Sequence, residues 1–358
     1  MKRITLALAA ALFGLTASSI VLSDDPVKVG FVYIGPVGDH GWTYQHNEGR
    51  LAVEQAFGDK VQTTYVEFVP EGQDSERVIR QLAADGHDLI FTTSFGYMNP
   101  TNKVAKNFPD VHFEHATGYK RGDNVATYSA RFYEGRYVIG QIAGAMTKSN
   151  VIGYIASFPI PEVVRGINSF TLGLHSVNPD ARVKVVWVST WFDPGKEGDA
   201  AKALIDQGAD VITQHTDSPA PLQVAEERGI LAFGQASDMH AFAPKAHLTA
   251  IVNNWGPYYV QRTQDVMDGN WQSQDVWAGI ADGMVVMADF NAESLPAEVI
   301  AKANETVEGI RNRTLHPFTG PIMDQAGNEV VAAGEVMSDG DLLGMNYYVM
   351  GVDGSVPN

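Results

Sequence analysis

The feature that most constrains the fold is a repeated alternation of short β-rich runs with helical stretches. Strand-like runs occupy residues 27–34, 61–69, 88–93 and 111–116, and a second series occupies 151–157, 183–190, 210–216, 230–235 and 248–253. Alternation of this kind favours a parallel sheet covered by helices on both faces. The sequence therefore predicts an α/β protein built from two similar units of roughly 120 residues each.

This pattern predicts two Rossmann-like lobes joined by a hinge, with a ligand cleft between them. We expect residues 27–148, together with about 275–325, to form the first lobe. Residues 149–274 are expected to form the second lobe. The remainder, 326–358, is expected to form a hairpin and tail, with Gly327 at the tight position of the turn.

The N-terminus has the pattern of a secretory signal peptide over residues 1–23. Lys2 and Arg3 precede the apolar run ITLALAAALFGLTASSIVL, and cleavage is expected after Ser23 or Ala17. A membrane anchor is the alternative, but the polar SDDP that follows lacks a basic stop-transfer cluster. We therefore expect an exported, periplasmic protein.

The charge balance and the absence of cysteine exclude several classes of function. The chain has 42 acidic and 25 basic residues, a formal net charge of −17, which argues against a nucleic acid partner. Without cysteine there are no disulfides, no thiol catalysis, no cysteine-based zinc sites and no lipid-modified N-terminal cysteine.

The segment GPVGDHGWTYQHNEGR, 35–50, follows the first predicted strand. Its glycine spacing and its lack of a following lysine do not match a phosphate-binding loop. The segment lies at the carboxyl end of the strand, where open α/β sheets bind ligands. Its candidates for ligand binding are Asp39, Gly41, Trp42 and Tyr44. The alternative is that Trp42 only covers the sheet edge.

The second unit has a counterpart in VSTWFDPGKEGD, 188–199. Asp193 and Pro194 have a structural explanation as the cap and first residue of a helix, whereas Trp191 does not. A tryptophan from each lobe suits the gripping of a flat aromatic ligand on its two faces.

Further polar or aromatic residues occur at other predicted strand ends, where each taken alone is typical of a cap or turn. The additional candidates are Phe95, Gly96, His115, Asp217, Asp238 and Asn253. No G-x-S-x-G or H-E-x-x-H motif is present, so we expect neither catalysis nor a bound metal or cofactor.

Several separated motifs together resemble the basic membrane protein (Bmp) family of ABC transporter solute-binding proteins. They are the strand followed by GDHGW, then NFPDVHF, EGRYVIGQIAG, GINSFTLG and WFDPGKEGDAAKALIDQGAD, and the resemblance covers nearly all of 27–350. It implies a type I periplasmic-binding-protein fold whose lobes close over a ligand by hinge motion. Characterised members bind purine nucleosides, whose base stacks between aromatic residues of both lobes.

Mapped onto this chain, the resemblance implies that Trp42, Asp39 and Trp191 lie near the base. His115 stands where the family has an acid. Ala236 and Asn253 replace an aspartate and a lysine that contact the sugar in nucleoside binders, whereas Asp238 retains the second aspartate of that motif. The loss of groups that contact ribose favours a free base.

The sequence therefore predicts a periplasmic receptor that binds a purine base, with adenine favoured, and that delivers it to an ABC permease as a monomer. A purine nucleoside receptor and a sensor for a membrane signalling protein remain the alternatives.

Overall fold

The computed structural model describes residues 25–38 and 40–357, so the predicted signal peptide lies outside the described residues. Two sheets organise the chain. The strands of the first sheet are β1 (Val27–Val32), β2 (Val61–Val66), β3 (Leu89–Thr92), β4 (His112–Ala116), β5 (Val125–Ala130) and β11 (Asp275–Ala278). Their order is β11-β5-β4-β3-β1-β2, and every pair is parallel.

The second sheet has the order β12-β10-β9-β8-β6-β7-β15, with β12 antiparallel to β10 and the other pairs parallel. Its strands are β6 (Val151–Ala156), β7 (Arg182–Trp187), β8 (Val211–His215), β9 (Leu231–Ala236), β10 (His247–Asn253), β12 (Val285–Met287) and β15 (Val352–Asp353). A small hairpin of β13 (Ile322–Met323) and β14 (Glu329–Val331) has Gly327 in its turn, with φ +83°. Its first strand begins before residue 326, where the prediction began the hairpin.

Ten helices occur in the described part of the chain. They are α1 (Gly41–Phe57), α2 (Gln73–Ala84), α3 (Met98–Ala105), α4 (Phe132–Met146), α5 (Pro161–His175), α6 (Pro194–Asp206), α7 (Ala220–Arg228), α8 (Gly256–Met267), α9 (Ala297–Arg311) and α10 (Asp339–Leu343). Within the described ranges no helix combines the length and apolar character that a membrane span needs.

The division into lobes differs from the expected one because the chain crosses between the sheets three times. The first crossing is at Arg131, between β5 and α4; the second is after β10; and the third lies between β11 and β12. We had placed α4 and β12 in the first lobe, but α4 packs on α5 and β12 pairs with β10 in the second. We had placed α8 in the second lobe, but it packs on α1 in the first.

The position of α4 follows from glycines that let two helices approach closely. A Cβ atom on Gly140 would lie 2.1 Å from the carbonyl oxygen of Phe170, and one on Gly173 would lie 2.1 Å from that of Tyr137. Because any larger side chain would separate the backbones, α4 and α5 form one unit.

The position of α8 follows from its aromatic and charged residues. Tyr259 is fully buried, and its hydroxyl bonds His46 of α1 and Tyr128 of β5. Arg262 donates to the fully buried Glu114 of β4 at 2.6 Å. Burial raises the pKa of Glu114, and the guanidinium opposes that shift. The pair therefore locks α8 onto the first sheet.

Candidate functional site

A narrow slot lies where strand ends of the two sheets face each other, and it contains about 360 Å³ of empty space, part of it open to solvent. Only about 20 Å³ of it can be occupied by the centre of a water-sized sphere, far less than the roughly 300–1,000 Å³ of small-molecule sites, so the lining side chains nearly fill the slot. The side chains that matter most in its lining are Trp42, Phe95, Glu162, Trp191, Asp217 and Gln235. Both lobes therefore contribute to one pocket.

Trp42 forms part of the first-lobe wall from the first turn of α1. Its indole N–H donates to the carbonyl oxygen of Thr93 at 2.6 Å. The ring meets His46 and Trp255 edge-on, with centroids 4.4 and 5.6 Å away. These contacts fix the orientation of the indole before any ligand arrives.

Trp191 forms part of the second-lobe wall from the loop between β7 and α6. Its indole N–H donates to Oε1 of Glu71, a residue of the first lobe, at 3.2 Å. The same oxygen accepts from the Ser94 hydroxyl at 2.6 Å and the Gly96 N–H at 2.9 Å. Glu71 thereby joins the two lobes at the rim of the slot.

The turn before α1 also crosses between the lobes. The Gly41 N–H donates to the Ser237 hydroxyl at 2.6 Å, and Nδ1 of His40 lies 2.8 Å from the carbonyl oxygen of Asp238. Gly41 has φ +77°, and a Cβ atom there would lie 2.1 Å from the carbonyl oxygen of Asp217. The approach of the lobes therefore needs glycine at this position.

Asp217 presents a buried carboxylate to the slot. It is 8% exposed, and among the described residues its side chain has no hydrogen-bond partner, although its backbone N–H donates to the Trp191 carbonyl at 2.9 Å. Burial, followed by the nearby carboxylates of Glu197 and Glu162, raises the pKa of Asp217 well above its ordinary value. An unpartnered buried carboxyl costs folding free energy and is available to a ligand.

Gln235 and Glu162 are oriented by buried partners. Arg136 donates to Oε1 of Gln235 at 2.5 Å and to the Gln214 carbonyl at 2.7 Å, which leaves the Gln235 amide N–H₂ as a donor toward the slot. Glu162 lies 3.5 Å from Nε2 of His215. Burial lowers the pKa of His215, so this contact involves a neutral ring.

The charge of the slot restricts its ligand. The described lining contains the acids Glu162 and Asp217, with Glu71 at the rim, and it contains no lysine or arginine. Such a lining disfavours phosphates and favours a ligand with N–H donors. Among the described residues there is also no cluster of acids and histidines placed to hold a metal ion.

The substitution Asp217→Asn is expected to stabilise the protein. Because its folded-state pKa is raised, Asp217 contributes most stability below its unfolded-state pKa and loses that contribution as the pH rises through the folded-state value. We expect the variant to be more stable at neutral pH by about 1 kcal/mol, and the two proteins to converge near pH ~4. Thermal melts from pH 4 to 8 measure this; parallel pH curves would contradict it.

The structure brings some of the predicted site residues together. Trp42, Phe95, Trp191 and Asp217 line the slot. Two glycines adjoin it, because Gly41 contacts Asp217 and Gly96 holds Glu71. Asp39 lies outside the described residues.

Four predicted residues lie away from the slot lining. Tyr44 stacks on His40 at 4.3 Å, and the carboxylate of the exposed Asp238 accepts from the backbone N–H of His240 at 2.9 Å. His115 is buried beside Thr92, 3.0 Å away, and burial lowers its pKa to about 3. Asn253 is fully buried, and its amide atoms have no partner among the described residues.

Sequence reasoning missed Glu71, Glu162 and Gln235. Glu71 follows β2 in an exposed loop, and its contact with Trp191 spans 120 positions, so no local pattern indicated it. Glu162 lies in the first turn of α5, where an acid is typical of any helix. Gln235 lies inside β9, one residue before its end, whereas the prediction concerns residues that follow strands.

Comparison with known proteins places this arrangement among transport proteins. The family model of Bmp, "ABC transporter substrate-binding protein PnrA-like", matches residues 26–314. A purine-binding protein of Brucella abortus (strain 2308) is 61% identical over 335 residues, 94% of this chain and 95% of the relative. A protein of Haloferax volcanii, named provisionally as an ABC transporter glucose-binding protein, is 39% identical over 93% of this chain and 82% of its own length.

Solved structures agree on the fold. An ABC transporter solute-binding protein from Aeropyrum pernix K1 superposes with a TM-score of 0.71 at 18% identity, over 81% of this chain and 93% of that one. At this identity the likeness concerns the fold alone. It confirms the prediction of a type I periplasmic-binding-protein fold.

Proposed function

This chain belongs to the Bmp family of PnrA-like ABC transporter substrate-binding proteins, and we propose that it captures a free purine base, with adenine favoured, in the slot between Trp42 and Trp191. The protein then presents the liganded, closed form to a membrane permease. It carries out no chemistry on the base, and it acts as a monomer in the periplasm.

The observation that carries the proposal is the pair of tryptophans contributed by opposite lobes to one slot that has no basic lining residue among those described. Stacking on an aromatic side chain contributes roughly 1–3 kcal/mol per base. An adenine supplies N–H donors for Glu162 and Asp217, and its ring nitrogens accept from donors such as the Gln235 amide. The purine-binding name of the Brucella relative supports the same ligand class.

A free base is favoured over a nucleoside because the positions that resemble the sugar-binding ones of the family lack charged ribose partners. Ala236 has no polar side chain, and Asn253 is fully buried and does not line the slot. Without charged partners at these two positions, ribose hydroxyls placed there would be left desolvated and unpaired.

Calorimetric titration of unfolded, ligand-stripped and refolded protein tests the proposal. We expect adenine to bind, and adenosine to bind at least about tenfold more weakly, the equivalent of one unpaired polar group. Glucose, included because of the Haloferax relative, is expected to give no heat. Absence of binding by adenine, hypoxanthine and guanine would exclude the purine proposal, and tighter binding of adenosine than of adenine would exclude the preference for the base.

A further inference from the structure

A second cavity, which we call the vestibule, opens from the slot toward the hinge. It shares Phe95, Thr117 and Glu162 with the slot, so the two cavities adjoin. Its empty space is about 1510 Å³, part of it open to solvent, against about 360 Å³ for the slot. The vestibule is therefore much larger than a planar base requires.

The vestibule is built from segments that differ from those of the slot. Ser129 comes from β5, Arg131 from the crossing segment that follows it, and Trp277 from β11. Helix α5 contributes Arg165. The remaining wall includes Asp339 of α10. This helix lies in the segment that follows residues 26–314, where the family model matches.

All but one of the charged groups of the vestibule contact a polar or charged side chain, within the vestibule or just outside it. Arg131 donates to both carboxylate oxygens of Asp339, at 2.8 and 2.6 Å. Asp275 forms an ion pair with Arg121 at 3.0 Å. Glu162 is directed toward His215, at 3.5 Å. One guanidinium in the vestibule wall lacks a contact of this kind.

That guanidinium belongs to Arg165, which is 4% exposed and lines the vestibule. Among the described residues it has no carboxylate hydrogen-bond partner. One terminal nitrogen donates to the carbonyl oxygen of Leu342 at 2.6 Å, and the group lies 4.9 Å from the centroid of the Trp277 ring. Burial lowers the pKa of the Arg165 guanidinium, and the nearby carboxylates of Glu162 and Asp339 oppose that shift without hydrogen-bonding to it. The guanidinium therefore keeps N–H groups that a bidentate acceptor can use.

The charges around Arg165 indicate which ligand group would bind its guanidinium. A planar carboxylate matches the fork of a guanidinium. A doubly charged phosphate would meet three acids in the same wall, Glu162, Asp275 and Asp339. A single negative charge on an oxygen-bearing group is therefore the better match.

We propose that the vestibule is a second ligand subsite, in which Arg165 binds a carboxylate carried on a short substituent of the base held in the slot. This inference rests on the proposed function, since the base must occupy the slot for the substituent to enter the vestibule. The ligand class becomes purines that bear a carboxylated arm, in addition to the free base.

Calorimetry with matched adenine derivatives tests the subsite. The probes are adenine, N9-(2-carboxyethyl)adenine and N6-(carboxymethyl)adenine, each acid being compared with its neutral carboxamide. We expect at least one acid to bind about tenfold more tightly than its own carboxamide, as a charge-assisted hydrogen bond allows. Adenine binding with no acid preferred over its amide overturns the subsite alone, whereas no adenine binding overturns the slot.

Two variants separate the role of Arg165 from a structural one. Arg165→Met should abolish the preference for the acid while adenine affinity changes by less than about twofold. Because this variant also loses the bond to Leu342, Ser129→Glu provides a second test that leaves Arg165 in place and adds a competing carboxylate to the wall. If both variants fold and still bind the acid more tightly than its carboxamide, the proposal is overturned.

Discussion

Replacement of Trp191 by alanine is expected to weaken adenine binding by roughly ten- to a hundredfold, the loss of about 1–3 kcal/mol of stacking. Trp191 is the better tryptophan to change, because Trp42 is also packed against His46, Phe132 and Trp255. Removal of the Trp42 side chain would therefore disturb the interior of the protein as well as the slot. Calorimetry on stripped protein gives the affinity, and thermal melting shows that the fold is retained.

Two further variants make the result specific. Trp191→Phe keeps a ring but loses the N–H that donates to Glu71, so its affinity should lie between those of the wild type and the alanine variant. Phe68→Ala removes another aromatic residue, 58% exposed and absent from the slot lining, and should bind adenine normally. Unchanged adenine affinity in Trp191→Ala would show that this tryptophan does not stack on the base.

Replacement of Gly41 by alanine is expected to reduce adenine affinity at least about a hundredfold by preventing closure. The added methyl group would lie 2.1 Å from the backbone oxygen of Asp217 in the opposite lobe, a contact that a side-chain rotation cannot relieve. The positive φ of 77° adds roughly 1–2 kcal/mol of strain. Each lobe should still fold, because the clash arises only between them.

Small-angle scattering measures this effect directly. The wild type should contract when adenine is added, whereas Gly41→Ala should remain extended at the same ligand concentration. Gly38→Ala is the matched control in the same turn, since a Cβ atom there would meet nothing within 4 Å. Wild-type affinity and contraction in Gly41→Ala would contradict the role of Gly41 in closure.

Much of the architecture could be predicted from the sequence, because strand–helix alternation is a local signal. Most strands of the two sheets follow from it, and the hairpin follows from the turn residue Gly327. Which lobe receives a given helix could not be predicted, because that depends on distant partners. The α8 helix joins the first lobe through contacts such as Arg262 with Glu114, 148 positions apart.

The candidate site shows the same difference between local sequence signals, which could be predicted, and contacts between distant residues, which could not. Trp42, Phe95, Trp191 and Asp217 were predictable because each follows a strand, and strand ends meet at one edge of a parallel sheet. Glu71 was not, since its importance comes from a contact across the two lobes. Nor did the sequence show that Asn253 turns into the interior, away from the slot lining.

The pairing of Glu114 with Arg262 also bears on the order in which the chain acquires its structure. Until residue 262 has been synthesised, β4 would have to bury a carboxylate without its counter-charge, and the sheet would still lack β11 beside β5. The amino-terminal half of the chain should therefore remain incompletely folded while the rest is made. Late folding of this kind suits the proposed periplasmic location, because an exported chain crosses the membrane unfolded. A fragment ending near residue 130 should fail to fold as an independent unit.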